Sequence, residues 1–122
     1  MTESGDGWAI AHSEELERNG GWRLVRRSLG LSSFGVNVVE IAPGDTIPEH
    51  DEVDRDQEEL FYVIAGSTSL LIDGAEHPFP EGTFARLDPA RRRTVRNTGS
   101  EPALVLIASA PCSSGYEPMG WA

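Results

Sequence analysis

PGDTIPEHDEVDRDQEELFYVIAG, residues 43–66, decides how this chain folds. It opens on the turn Ala42-Pro43-Gly44-Asp45, where Pro, Gly and Asp suit the sharp change of direction. An acidic run follows, and then Leu60-Phe61-Tyr62-Val63-Ile64, which is apolar on both faces. A strand of that kind is expected to be covered on both sides. The same grammar repeats outward. Residues 34–41 are rich in Val and Ile, and residues 68–72 lead through Asp73-Gly74, a tight hairpin signal, into 75–79. After the turn Pro80-Glu81-Gly82 come 83–87, 94–97 and 103–109, separated by Asp88-Pro89 and Thr98-Gly99-Ser100. Residues 22–29 alternate and read as a further strand. Eight or so short strands at this spacing predict an all-β sandwich or barrel.

The chain has 122 residues and 39% hydrophobic content, enough for one domain with one core. The expected division is an N-terminal extension over 1–21, a barrel over 22–110 and an irregular tail over 111–122. In the extension the first dozen residues read as loose. Ser13 and the acids after it predict one or two helical turns, stopped by Asn19-Gly20-Gly21. Tyr116, Met119 and Trp121 are too apolar for a free tail and are expected to pack on the barrel or on a neighbouring chain.

Charge narrows the partners. Twenty acids against ten bases give a net charge of −10, which disfavours nucleic acid and anionic membrane surfaces. All ten bases are Arg, so lysine Schiff-base chemistry is excluded. The single cysteine, Cys112, rules out an internal disulfide and a Cys-rich metal site, and reads as an inert thiol. Apolar runs such as residues 103–108 are far too short to span a membrane, and the N-terminus lacks a signal-peptide pattern. A cytoplasmic protein is expected. No G-x-S-x-G, Walker A or G-x-G-x-x-G motif is present. The acids of 51–59 lack the glycine that an EF-hand calcium loop needs.

Within 43–66, Gly44 is followed six residues later by His50, and Glu59 seven residues later by Gly66. This resembles the first motif of the cupin superfamily, and Pro80-Glu81-Gly82 with Asn97 resembles the second. The likeness runs over about residues 34–110. It implies a small single-domain cupin: a double-stranded β-helix, or jelly-roll-like barrel, of two antiparallel sheets, often paired into a homodimer. It also implies a divalent metal held by two His and one Glu of the first motif and one His of the second.

This chain departs from that set. His50 fits the first ligand and Glu59 the acidic one. Glu52 stands where the second His belongs, and Arg93 where the second-motif His belongs, four residues before Asn97. Arg cannot ligate a metal, because its guanidinium stays protonated and only donates. A guanidinium beside Glu52 and Glu59 would instead neutralise them from within. The resemblance with its degenerate motif therefore predicts a small-molecule pocket without a cofactor, used for binding or sensing. The alternative keeps a divalent ion (Fe, Mn or Zn) on His50, Glu52 and Glu59, for oxygenase, isomerase or lyase chemistry. A metal-free enzyme would use Glu59 or His50 as general base and Arg93 to stabilise an oxyanion. A third reading is a barrel filled by its own side chains. His12 and His77 lack ligand-like neighbours and read as structural or exposed.

Overall fold

The computed structural model describes residues 2–122. A hairpin, β1 (Glu3–Gly5) and β2 (Trp8–Ile10), stands by itself at the start. The larger sheet is built from β3 (Arg18–Asn19), β4 (Trp22–Arg23), β5 (Gly35–Ile41), β6 (Gln57–Ala65), β9 (Phe84–Leu87) and β11 (Ala103–Pro111). Its order is β3-β4-β5-β11-β6-β9, every pair antiparallel. The smaller sheet is β10-β7-β8, from β7 (Ser67–Ile72), β8 (Ala75–Pro80) and β10 (Arg93–Asn97). The segment 44–50 runs beside β10 as a further edge, through Ile47 N–H to Val95 O and the reciprocal bonds of His50 and Arg93.

The two sheets close over one core. Val39, Ile41, Phe61, Val63, Val105 and Ile107 face inward from the larger sheet. Leu70, Phe79 and Val95 meet them from the smaller one. Alternation along a strand explains the pattern, since Val39 and Ile41 of β5, Glu59, Phe61 and Val63 of β6, and Ala103, Val105 and Ile107 of β11 are buried. Asp73 and Gly74 both take positive φ, 50° and 81°, as a two-residue hairpin of the favoured handedness requires. Gly66 is needed for two reasons. Its φ is 101°, and a Cβ there would lie 2.8 Å from the Ala103 backbone.

Four expectations need correction. The strand read over 22–29 ends at Arg23, and Val25–Leu29 forms the helix α1. Gly30, at φ 74°, closes that helix with its N–H on the Arg26 and Arg27 carbonyls. Over so few residues, period-two alternation did not separate strand from helix. The helix expected after Ser13 is only a 3-10 turn, Ser13–Glu15. It is capped by His12, whose Nδ1 accepts from the Glu14 N–H. The supposedly loose start is the β1–β2 hairpin. Finally, β6 is covered on one face only. Phe61 and Val63 are fully buried, while Leu60 and Ile64 lie open on the outer face of the chain.

Candidate functional site

The inner face of the larger sheet changes character along the strands. In register across β5, β11, β6 and β9 lies the row Gly35, Ser109, Glu59 and Leu87. One step further in comes Asn37, Ile107, Phe61 and Ala85, and beyond it Val39, Val105 and Val63. The polar rows sit at one end of the barrel and the apolar rows seal the core below them. A Cβ on Gly35 would lie 2.8 Å from the Ser109 hydroxyl oxygen, so that hydroxyl would have to turn aside.

Above these rows is a cavity of about 230 Å³, lined among others by Trp22, Asn37, His50, Glu52, Gln57 and Glu59. Of the four residues singled out from the sequence, His50, Glu52 and Glu59 line it and Arg93 lies behind Glu59. His50 Nε2 lies 3.2 Å from Glu59 Oε1 and 3.5 Å from Glu52 Oε1. Arg93 Nε lies 3.3 Å from the same Glu59 oxygen. That contact is an ion pair by distance, but the N–H direction falls outside hydrogen-bond geometry. Glu59 is nearly buried and Arg93 is completely so.

Local backbone explains the convergence. His50 and Arg93 exchange backbone hydrogen bonds, 3.1 and 2.8 Å, which locks the loop against β10. Of the three consecutive arginines, Arg93 opens β10 and is buried there with Val95 and Asn97, while Arg91 and Arg92, just before the strand, reach outward to Asp73 and Glu49. The Arg93 guanidinium donates to the Arg91 carbonyl at 2.6 Å and, at 3.4 Å, to that of Leu87. It is absent from the cavity wall. It meets the cavity only through Glu59.

The proton on His50 can be placed by its partners. Nδ1 sits 3.0 Å from the Pro48 carbonyl, which only accepts, so Nδ1 carries a hydrogen. Nε2 then faces two carboxylates. A lone pair there would be repelled, whereas an N–H donates to Glu59. The hydrogen bond to Glu59 is the main reason that the His50 pKa is raised above 6.5, helped by the Pro48 carbonyl and opposed by burial and Arg93.

The family resemblance raises a divalent ion, and three donor groups here could reach one: His50, Glu52 and Glu59 offer atoms within 4.8 Å of one another. The charges argue against a tightly held ion. Two carboxylates are balanced by Arg93 and an imidazolium. A divalent ion with neutral His50 would leave an excess positive charge beside a buried guanidinium, and the fourth donor is missing. Three donors thus stand together, and a guanidinium holds the place of the fourth.

Sequence reading missed much of the wall. Gln57 shares an inward face with Glu59 and was legible from alternation. Asn37, Ser109 and Trp22 needed the pairing of β5, β11 and β4, which no local pattern gives. Arg55, the lone base within the acidic run, also lines the cavity. His77 is exposed on β8 and Cys112 is exposed on the tail.

Known proteins share this fold. A polyketide synthase protein of Streptomyces glaucescens, TcmJ, is 27% identical over 88 residues, spanning 72% of this chain but only 58% of that protein. A cupin protein from Bacteroides fragilis superposes with a TM-score of 0.78 at 18% identity, covering 94% of this chain and 92% of its own. A protein of the cupin superfamily from Silicibacter pomeroyi, described as a sugar phosphate isomerase, gives a TM-score of 0.66 at 28% identity, over 75% of this chain and 60% of its own. The Cupin_2 family model matches residues 37–109, well over half of the sequence, and the chain therefore belongs to this family of cupin domains.

Proposed function

We propose that this cupin binds a small molecule in the cavity above Glu59 and does so without a metal centre. One observation carries the reading: a fully buried guanidinium, Arg93, lies 3.3 Å from Glu59 Oε1, in the position where the family motif has an imidazole. The acids at the centre then need no external cation. Arg93 is a positioning residue, holding Glu59 while Glu59 and His50 face the ligand. The measurement is elemental analysis of protein purified without chelator. Less than about a tenth of a transition ion per chain is expected, given the unfavourable charge balance. A stoichiometric ion bonded to His50 and Glu59 would overturn the reading.

A second reading is favoured by the His50–Glu59 hydrogen bond, which places a shared proton at the cavity wall. Such a pair can move a proton on a bound substrate, and the Silicibacter pomeroyi relative carries the description of an isomerase. Glu59→Gln would then abolish turnover of any substrate found while leaving binding within a few-fold.

We also propose that a second copy of this chain covers the outer face of the larger sheet. Leu60, Ile64 and Phe84 are 40%, 39% and 64% exposed there, and Tyr62 stacks on Phe84 at 4.3 Å between ring centroids. A contiguous apolar sheet face of this kind is rarely left to solvent. Sedimentation at micromolar concentration should give a dimer, and Leu60→Asp a monomer. A monomeric parent chain would refute the pairing.

A further inference from the structure

Eight of the ten arginines are ion-paired: Arg18, Arg23, Arg27, Arg86, Arg91, Arg92, Arg93 and Arg96 each have a carboxylate partner. Arg26 and Arg55 have none among the described residues. Both line one cavity of about 360 Å³, together with Ser32, Ser33, Asn37 and Gln57. This chamber adjoins the one above Glu59, sharing Gly35, Asn37, Arg55, Gln57 and Ser109 with it. In a chain of net charge −10, the two guanidinium groups without an acid thus stand at the mouth of a single site.

We infer that this mouth is an oxyanion site, which takes the carboxylate or phosphate group of a small organic ligand. Arg26 is held by its side chain and Arg55 is placed by its backbone. Arg26 lies in α1 and donates through one terminal nitrogen to the Leu31 carbonyl at 3.2 Å, leaving Nε and the other nitrogen free. Arg55 is presented by a tight turn, closed by Asp56 N–H on the Val53 carbonyl at 3.1 Å with Asp56 at φ 49°. The guanidinium fork matches both oxygens of a carboxylate or phosphate. The Ser32 and Ser33 hydroxyls add donors nearby. Surrounding acids repel an anion at long range, so the positive mouth confers selectivity as well as contact. Deeper in, His50, Glu52 and Glu59 offer one donor and several acceptors, suited to a hydroxyl on the ligand's other end. The inference rests on the proposed use of this cavity for a small molecule.

The test is calorimetric titration of chelator-treated protein at low ionic strength with inorganic phosphate, with succinate and, as a neutral control, with glycerol. At least one anion should bind saturably. Phosphate alone would indicate a phosphate ester, succinate alone a carboxylate, and both would show that the fork reads the oxyanion generally. Arg26→Ala with Arg55→Ala should weaken binding at least about tenfold. Arg91→Ala with Arg96→Ala removes the same charge elsewhere and should change it less than about twofold. Circular dichroism checks that the exposed substitutions leave the fold intact. Absence of saturable binding by either anion, equal losses in both double variants, or binding that appears only on adding Zn or Mn would overturn the proposal. If metal analysis finds a resident ion while chelated protein still binds the anion through Arg26 and Arg55, the metal-free reading falls and this one stands.

Discussion

At the floor of the cavity four charged side chains answer one another, while at its mouth two guanidinium groups face no acid. Below, Glu59 lies 3.2 Å from His50 and 3.3 Å from Arg93, and Glu52 lies 3.5 Å from His50. Above, Arg26 and Arg55 are exposed and paired with no carboxylate. The contrast follows from solvent. A charge taken from water must find its counter-charge within the protein, whereas an exposed one can wait for a ligand. Buried charges therefore set the structure of this site, and exposed ones are left free to recognise what enters it.

The sharpest way to break this comparison is Arg93→Ala. It deprives Glu59 of its buried cation and removes a donor from the Arg91 and Leu87 carbonyls. A loss of about 3–5 kcal/mol is expected in urea denaturation, as for other broken buried pairs. Arg55→Ala should stay within about 0.5 kcal/mol of the parent chain. Removing both buried charges, as Arg93→Met with Glu59→Gln, should cost less than the sum of the single changes, because neither charge is then left unpaired. Equal effects of Arg93→Ala and Arg55→Ala would erase the distinction between floor and mouth.

A second substitution reverses the charge argument. Arg93→His withdraws the buried cation and offers a fourth donor beside His50, Glu52 and Glu59. Zn should then raise the melting temperature of the variant and not that of the parent. Saturation at about a hundred times the dissociation constant would add about 2.7 kcal/mol. An equal response of the two proteins would show that the guanidinium does not decide metal occupancy.

The same contrast explains what the sequence could disclose. Gly44, His50, Glu59, Gly66 and Asn97 disclosed the fold through their spacing, although the contacts they make can be long-range. Asn97, for example, is buried and its amide nitrogen donates to the Ile41 and Glu101 carbonyls at 2.8 and 2.7 Å. Which of the three consecutive arginines turns inside was not legible, since alternation sends at least one inward in an extended segment but gives positions 91 and 93 the same face. Arg26 was not legible either, because its place depends on residues 25–29 being helix rather than strand. Nor was the absence of a partner for Arg55, which can be judged only once every nearby acid has been placed. The run of acids around it reads in sequence as abundant partners.

The smallest expected effect separates floor from mouth by pH. His50 has its pKa raised above 6.5, chiefly by its hydrogen bond to Glu59, with Glu52 and Arg93 also facing the ring. The folded state thus holds this proton more tightly than the unfolded chain does. The sign follows from linkage: the stabilisation is complete below about pH 6.5 and fades as pH rises through the raised value. Denaturation midpoints measured from about pH 6 to pH 9 should therefore fall for the parent chain. His50→Gln should flatten that fall, because no proton remains to be lost. Arg55→Ala should leave it unchanged, since a guanidinium stays protonated throughout this range. A parent midpoint that rises across the range, or a slope that survives His50→Gln, would mean that the imidazolium does not balance the carboxylates at the cavity floor.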